Sequence, residues 1–355
     1  MSGGDLHALM LAKIWGEKHD VSIFIPQLGK TFIINNYNLK YLVGNEKFEN
    51  ENFANNHPII LYTIRSIDAL LKYFIYTDNY DIIISSSHYF FDLLPAIIFN
   101  RFKKGIVVYN HSNLQDRKKK FHFTKFMDKL SNIIISRYCR LVLAIDNELI
   151  DYYRYKININ SCKIINGIER NTLIISNEKY FDCCFVGRLV EEKGIWDIVE
   201  VAKKSVHDRP LKIAIVGDGP LMQKLSDSIE DNKLQEHIKL FGYLDKEKYL
   251  IISSSKLFLF PSYYESWGMV IMESLSLGVP VLCYDLDVYD DIYKHGIVKV
   301  DVGDTNALYN KLICIIDDPY YLTNLGSQGK IGIAKFDWTI VADNELKMIV
   351  KYLSM

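Results

Sequence analysis

Cysteine and proline are scarce in this chain of 355 residues, which contains six and eight copies of them. The cysteines form no Cys-x-x-Cys pair and have no histidine at metal-ligand spacing, which argues against a zinc site and a disulfide-dense fold. Long apolar runs are also missing, because none approaches the ~18 residues that cross a bilayer. The N-terminus lacks the basic-then-apolar order of a signal peptide. We therefore expect a reduced, soluble, cytoplasmic protein.

The chain has no excess of charge of either sign. Lys and Arg number 42 and Asp and Glu number 43, so the net charge of −1 offers nucleic acid no general attraction. Hydrophobic residues make up 49% and charged residues 24%, which excludes disordered, collagen-like and coiled-coil chains. At about 150 residues per domain, the length predicts two domains. Any phosphate site is expected to be local.

Short β-branched segments alternate with longer segments of helical periodicity, which predicts an α/β fold with parallel sheets covered by helices. The predicted strands are Val21–Ile25, Asp81–Ser85, Ile106–Tyr109, Leu141–Ile145, Phe181–Val186, Lys212–Val216, His237–Phe241, Leu257–Phe260 and Val279–Tyr284. The predicted helices include Leu6–Trp15, Ile195–Val206, Leu221–Asp231, Met269–Leu277 and Ala307–Ile316.

A domain boundary is predicted between Asn166 and Lys179, where a strand-like segment gives way to a polar stretch without helical periodicity. We assign residues 1–170 to a first domain and residues 177–337 to a second. The second alternates strand, loop and helix more regularly than the first.

The segment after the predicted strand Phe181–Val186 contains Gly187, Arg188 and Lys193. A glycine at the carboxyl end of a parallel strand lets a ligand approach the backbone, and ligands of open α/β sheets bind at that edge. Arg188 and Lys193 would then supply two cations for a diphosphate. The alternative is a solvated loop whose glutamates favour the dipole of the following helix.

The next predicted strand ends in VGDGP, from Val216 to Pro220. Proline is favoured at the first position of a helix, so the segment predicts a tight strand-to-helix turn. Such a turn can present backbone amides to a phosphate, but a purely structural turn is the commoner use of this pattern.

The strongest local signal is FLFPSYYESWGMVIMESLSLGVPVL, from Phe258 to Leu282. A predicted buried strand ends at a proline, a loop contains Glu265, and Gly268 precedes an apolar helix that contains Glu273. The first amides of a helix have no internal acceptor and favour an anion. Amides between two carboxylates match a nucleotide sugar, which has a diphosphate flanked by two sets of hydroxyls. Alternatively, Glu265 is a capping residue and Glu273 an exposed helix position.

These segments together resemble the retaining glycosyltransferases of the GT-B fold that are often called family 4, over nearly the whole chain. The most specific part is the glutamate pair with seven residues between, Glu265 and Glu273. Supporting motifs occur in the order that the family has, namely the NGI that begins at Asn166, then FVGRLVEEKG and then IVGDGP. The resemblance implies two Rossmann-like domains facing a central cleft, and a final helix, residues 338–355, that crosses back to the first domain.

The resemblance also implies roles for individual residues of the second domain. Arg188 and Lys193 would hold the donor diphosphate. Glu273 would bind the ribose, and Glu265 would be a catalytic residue at the donor sugar. The remaining donor-binding groups would be Gly187, Trp267, Gly268, Met269 and Val270.

In the first domain, the family has a glycine pair in the loop after its first strand, followed by a helix with a histidine. Here Gly3, Gly4 and His7 resemble that segment, and the glycines would admit the donor or acceptor. We interpret His7 as a surface or crevice-lining residue. His111, at the end of GIVVYNH, resembles the family histidine that faces the donor sugar, and is predicted to be catalytic.

The family begins with a strand ahead of the glycine pair, for which this chain has no room after Met1. We expect either that the true start lies upstream or that the first domain lacks its opening strand.

A basic and aromatic segment, RKKKFHF, follows His111. Charge runs are usually solvated, but this one could also contact an anionic membrane and bring a lipid-linked acceptor to the enzyme. The predicted membrane contact consists of Arg117, Lys118, Lys119 and Lys120.

Asp285 and Asp287 could suggest a metal-bound diphosphate. Because two cations and the helix amides already supply positive potential, we expect no metal and no other cofactor, and interpret both aspartates as loop residues.

The sequence thus predicts a retaining glycosyltransferase that moves a sugar from a UDP- or GDP-linked donor to a hydroxyl of a glycan, lipid or protein-linked acceptor. Two alternatives remain open. One is a catalytically impaired nucleotide-sugar-binding protein, and the other is a nucleotide-sugar epimerase of the same fold.

Overall fold

The computed structural model of the chain describes residues 3–25, 39–43, 64, 67, 71, 80–99, 106–111, 122–169 and 175–354. The chain divides into two compact units. The first unit comprises Met1–Gly167 and Trp338–Met355, and the second unit comprises Ile168–Asp337. Neighbouring strands in the described part of both units run parallel, which confirms the α/β class.

The first unit contains a four-stranded sheet in the order β3-β4-β5-β6 and a separate pair, β1-β2. Its elements in chain order are α1 (Gly3–Trp15), β1 (Ser22–Ile25), β2 (Lys40–Val43), β3 (Ile83–Ser85), α2 (Phe90–Phe99), β4 (Ile106–Asn110), α3 (His122–Tyr138), β5 (Cys139–Ala144), α4 (Asn147–Asp151) and β6 (Asn160–Lys163). All five residues of β4 are buried, as expected for a strand covered on both faces.

The second unit contains one six-stranded sheet in the order β12-β11-β10-β7-β8-β9. Its elements are β7 (Phe181–Val186), α5 (Ile195–Asp208), β8 (Ile213–Val216), α6 (Met222–Asp231), β9 (Ile238–Leu240), α7 (Lys248–Ser253), β10 (Ser255–Phe260), α8 (Met269–Ser276), β11 (Val281–Tyr284), α9 (Asp287–Ile292), β12 (Ile297–Val300), α10 (Thr305–Ile316) and α11 (Pro319–Gly332).

The order of these strands places a topological switch point between β7 and β10. The chain leaves β7 toward β8 and β9, then returns to β10 on the other side of β7 and continues toward β12. The connections after β7 and β10 therefore depart in opposite directions. In open α/β sheets this arrangement leaves a crevice at the carboxyl ends of the two strands, where ligands bind.

Edge position explains why the sequence predicted no strand at β12. All four residues of this strand are only half-buried, and β12 pairs with β11 alone. The interior strands β8 and β11 are buried at every residue and were predicted from their continuous apolar segments.

The last helix, α12 (Trp338–Leu353), belongs to the first unit. Val341 and Ile349 of this helix are buried in one cluster with Met10 of α1. The indole of Trp15 adds a hydrogen bond, in which Nε1 donates to the carbonyl oxygen of Ala342 at 3.0 Å. The two ends of the chain therefore complete one hydrophobic core.

A buried polar cluster lies at the contact of α1 and α12. Glu345 is 4% exposed and accepts a hydrogen bond from the Tyr109 hydroxyl. His7 Nε2 lies 3.3 Å from Glu345 Oε1, and His7 Nδ1 lies 3.0 Å from Asn166 Oδ1. Burial, and then the charge of Glu345, raise the pKa of Tyr109 well above its usual value, so this hydroxyl stays a donor.

We expect Glu345→Ala to destabilise the first unit by about 3 kcal/mol, because the Tyr109 hydroxyl and the His7 ring would lose a buried acceptor. Thermal unfolding followed by calorimetry would measure the change. Asp343→Ala is the matched control: Asp343 lies on the same helix and pairs at 3.6 Å with Lys18, in the turn after α1, but both side chains are more than half exposed. An equal effect of the two substitutions would contradict the prediction.

Candidate functional site

The turns that follow β7 and β8 are bound to each other through their backbones. The amide of Gly187 donates to the carbonyl of Val216 at 3.0 Å, and the amide of Leu189 donates to the carbonyl of Asp218 at 2.9 Å. Gly217 has a φ of +144°, and a Cβ added there would lie 1.8 Å from the carbonyl oxygen of Gly187. Only glycine permits this approach. The glycine-containing segments singled out in the sequence thus form one rigid edge.

The short 3₁₀ turn Glu191–Lys193 packs against the loop that follows β10. The amide of Tyr263 donates to the carbonyl of Glu192 at 2.8 Å. Gly194, which ends the turn with a φ of +66°, approaches so closely that an added Cβ would lie 2.0 Å from the Pro261 carbonyl oxygen. The loops on either side of the switch point are therefore held together by backbone contacts.

This loop contact brings Lys193 and Glu265 together. The Lys193 ammonium group donates to a carboxylate oxygen of Glu265 and also lies 5.7 Å from the centre of the Phe260 ring. The two side chains are 23% and 12% exposed. Because both charges are partly withdrawn from water, the attraction between them is stronger than in a surface pair. Lys193, which the sequence predicts to bind the diphosphate, and Glu265, which it predicts to act at the sugar, are therefore in direct contact.

The helix that carries the second glutamate begins beside this pair. Gly268 is the N-cap of α8 with a φ of +71°, and Trp267 and Gly268 are both buried. The amides of Gly268, Met269 and Val270 lie at the helix N-terminus, where the backbone leaves donors without a partner in the preceding turn. The positive end of the helix therefore lies at the switch point.

Glu273 is not an exposed helix position, since its side chain is only 13% exposed. The Lys248 ammonium group, from α7, donates to the carboxylate at 2.8 Å, and the Tyr249 hydroxyl lies 3.4 Å from Oε1. Burial, and then the charge of Glu273, raise the pKa of Tyr249 and keep it neutral. Each glutamate of the pair thus has a lysine partner.

Arg188 differs from Lys193 in its surroundings. It is exposed, and no ion pair joins it to an acidic residue of the described part of the chain. Its position directly after Gly187 places the residue at the same sheet edge. Arg188 is therefore an exposed cation that no carboxylate of the described residues holds in an ion pair.

Two interpretations of the sequence are wrong in the first unit. Gly3 and Gly4 do not precede the first helix but form the start of α1. His7 is 1% exposed rather than a surface residue, because Asn166 and Glu345 give its ring polar partners in the interior.

His111 follows the last residue of β4, as the sequence predicts. Its ring is stacked on that of Tyr109, with centres 5.9 Å apart and planes inclined by 7°, and lies 5.3 Å from the ring of His7. The first unit therefore holds His111 among aromatic rings at the carboxyl edge of its own sheet.

Asp285 and Asp287 are not both loop residues. Asp287 begins α9, and Asp285 pairs with Lys299 of the edge strand. The basic residues Arg117, Lys118, Lys119 and Lys120 lie outside the described part of the chain.

Lys248 is the partner that sequence reasoning missed. It is separated from Glu273 by 25 residues and lies on a different helix, α7. No spacing pattern within one element could have connected the two residues.

The second unit matches a known family. Residues 172–331 fit the family model described as glycosyl transferases group 1. An uncharacterized glycosyltransferase of Methanocaldococcus jannaschii is 35% identical over 175 residues, which cover 45% of this chain and 41% of that protein. A processive diacylglycerol alpha-glucosyltransferase of Acholeplasma laidlawii is 27% identical over 245 residues, which cover 60% of this chain and 69% of the relative.

The whole chain also resembles a solved structure. Anabaena HepE in complex with UDP and glucose superposes with a TM-score of 0.74 at 17% identity, over 99% of this chain and 96% of HepE. The likeness establishes the fold. The alignments with the first curated relatives span less than half of those relatives' length.

The parallel sheets and the likeness to HepE define a GT-B fold. Residues 172–331, in the second unit, match the family described as glycosyl transferases group 1, so this part of the chain is a glycosyltransferase domain.

We expect Gly217→Ala to lower the free energy of unfolding of the second unit by about 3 kcal/mol, because the new Cβ would collide with the Gly187 carbonyl. Gly242→Ala is the control. Gly242 also has a positive φ, but an added Cβ would have nothing within 4 Å, so only a backbone cost of about 1 kcal/mol is expected. Urea unfolding measures both. Equal losses would show that steric contact between the turns is unimportant.

Proposed function

We propose that the protein is a retaining glycosyltransferase that transfers a sugar from a UDP- or GDP-linked donor to a hydroxyl of a glycan, lipid or protein-linked acceptor. The observation that carries this proposal is the contact of Lys193 with Glu265 at the switch point, beside the N-terminus of α8. The cation and the helix amides suit the diphosphate of a nucleotide sugar, and the carboxylate suits its hydroxyls.

The diphosphate is the anionic part of such a donor. Arg188 offers a planar fork of donors that matches phosphate oxygens, and Lys193 offers a point charge. The amides at the start of α8 add directed hydrogen bonds and the positive end of the helix dipole. Since these groups already supply positive potential, we propose that donor binding needs no metal ion.

The hydroxyls are the neutral part of the donor. A carboxylate has several acceptor sites, so Glu273 can accept from ribose hydroxyls while Lys248 still donates to it. Glu265 can likewise accept from the transferred sugar while it contacts Lys193. The lysines then keep both carboxylates oriented.

Catalysis of this transfer with retention would depend mainly on electrostatic stabilisation of the leaving group. The bond between the anomeric carbon and the diphosphate oxygen breaks, the sugar gains oxocarbenium character, and Arg188 and Lys193 stabilise the charge on the leaving diphosphate. The acceptor oxygen bonds to the anomeric carbon, and its proton passes to the leaving phosphate oxygen. In the first unit, we propose that His111 is a catalytic residue that forms a hydrogen bond to the donor sugar. We also propose that substrate approaches the backbone at Gly3 and Gly4.

The similar HepE structures support a UDP-linked donor, since they are complexes with UDP and glucose and with UDP-glucose. These ligands belong to HepE. At 17% identity they leave GDP as a second candidate for this chain.

A lipid-linked acceptor is supported by the exposed face of α3. Phe126 and Ile133 are 57% and 54% exposed, and the exposed cations Lys125, Lys129 and Arg137 lie on the same helix. Apolar side chains among cations are suited to an anionic lipid surface. No helix in the described residues is long and apolar enough to cross a membrane. We therefore propose peripheral contact with the cytoplasmic face of a membrane, near the predicted basic segment.

We expect Lys193→Met to weaken binding of UDP or GDP about 10- to 100-fold, because a charge-assisted hydrogen bond to phosphate is lost. Isothermal titration calorimetry measures the affinity, and sugar transfer in the presence of EDTA tests the metal-free proposal. Lys203→Met is the control, since Lys203 pairs with Glu200 on the surface of α5. Equal affinities of the two variants, or transfer abolished by EDTA, would contradict the corresponding proposal.

We expect the double substitution Phe126→Glu and Ile133→Glu to lower binding to vesicles at least about tenfold, since each exposed side chain loses roughly 1.5 kcal/mol of apolar burial. Co-sedimentation with vesicles of equal parts phosphatidylcholine and phosphatidylglycerol is the measurement. Tyr320→Glu with Ile331→Glu places the same charges at exposed apolar positions of α11. Equal binding of the two double variants would refute a role for α3.

A further inference from the structure

Tyr293, which follows α9, makes an unusual hydrogen bond to the turn before α8. Its hydroxyl lies 3.1 Å from the carbonyl oxygen of Trp267 and 2.9 Å from that of Gly268. The side chain is 4% exposed. A hydroxyl has one proton to donate, so this single donor is shared between two consecutive carbonyls.

The bond to two carbonyls also orients two amides. In a trans peptide the carbonyl of one residue and the N–H of the next point in opposite directions, and the described residues contain no cis peptide bond. With the carbonyls of Trp267 and Gly268 turned toward the Tyr293 hydroxyl, the N–H groups of Gly268 and Met269 must point away from that hydroxyl. These are the first amides of the helix N-terminus in the proposed donor site.

Of the two carbonyls, that of Gly268 also accepts a hydrogen bond from the amide of Ile271 at 2.9 Å, whereas the Trp267 carbonyl has its contact with Tyr293 alone among the hydrogen bonds of the described residues. Gly268 has no side chain to cap the helix, and its positive φ belongs to a region that glycine enters and leaves freely. The hydrogen bond from Tyr293 comes from a separate, buried element and connects positions 25 and 26 residues apart. It therefore restricts rotation of the Trp267–Gly268 peptide, and it adds to the hold that the helix already has on the Gly268–Met269 peptide.

We propose that Tyr293 is a positioning residue that aims the amides of Gly268 and Met269 at the diphosphate of the nucleotide-sugar donor. The inference rests on the proposed function and deepens it. Tyr293 does not touch the ligand and acts through the two peptide planes. Binding of the diphosphate should depend on it, and binding of the nucleoside portion should not.

The hydroxyl remains a donor under all physiological conditions. Burial raises the pKa of Tyr293 well above its usual value, and the nearby negative charges of Glu265 and Glu273 raise it further. No ionisation interrupts the contact with the carbonyls.

Tyr289 provides a matched control within the same structure. It is fully buried on α9, its ring centre is 6.0 Å from that of Tyr293, and an added Cβ on Gly268 would lie 3.2 Å from its Cε1 atom. Its hydroxyl has no hydrogen-bond partner among the described residues. Both tyrosines thus pack near the same turn, but only Tyr293 holds the carbonyls.

The test compares Tyr293→Phe with Tyr289→Phe by isothermal titration calorimetry, with UDP and uridine as probes and GDP and guanosine in parallel. We expect Tyr293→Phe to weaken binding of the preferred diphosphate about three- to tenfold, the effect of one lost hydrogen bond, and to leave nucleoside binding unchanged. Tyr289→Phe should change neither. Equal effects of the two substitutions, or an equal loss for diphosphate and nucleoside, would overturn the inference.

A second measurement does not depend on the variant being folded. In the unmodified protein, the amide resonances of Gly268 and Met269 should shift on addition of the diphosphate and not of the nucleoside. Absence of that difference would overturn the inference, whereas failure of the unmodified protein to bind either diphosphate would overturn the proposed function on which it rests.

Discussion

The contact between the loops after β7 and β10 is the constraint on which the site depends. Strand order opens a crevice at this point of the sheet, and the backbone bond between Tyr263 and Glu192 brings its two sides together. The close approach of Gly194 to Pro261 leaves no room for a side chain there. Lys193 and Glu265 meet because these backbones meet, so the ion pair is a consequence of the topology rather than its cause.

The electrostatics of the second unit follow from that arrangement. Two partly buried carboxylates would each cost several kcal/mol without a cation, and each has a lysine in contact. Within each of the pairs Lys193–Glu265 and Lys248–Glu273, the two charges neutralise each other. Arg188 and the α8 amides then add positive potential that neither pair cancels. A diphosphate that reaches Lys193 must therefore share it with Glu265. In the proposed function, binding of the phosphate would thus be coupled to the orientation of the carboxylate proposed to act on the sugar.

The sequence could predict what lies within one element or one turn. The apolar segments of β8 and β11, the glycines at the ends of β7 and β8, and the spacing of Glu265 and Glu273 are local patterns with a direct structural cause. Contacts between distant elements have no such pattern, which is why Lys248 and Tyr293 were found only in three dimensions. His7 illustrates the limit, because its burial depends on Glu345, 338 positions away.

The contact between His7 and Glu345 also shows that the two units differ in chain continuity. The second unit is one continuous segment, whereas the first needs α12, which follows the second unit in the sequence, to bury Met10 and Trp15 and to give Tyr109 its acceptor. At the junction, a Cβ on Gly167 would lie 2.4 Å from the Trp338 ring, so the chain's exit from the first unit and its return are packed together. Because closing so long a loop is entropically costly, prior folding of the second unit, which brings Ile168 and Phe336 into a hydrogen bond, lowers the cost of completing the first. Folding of the second unit thus brings together the two segments of chain that form the first unit.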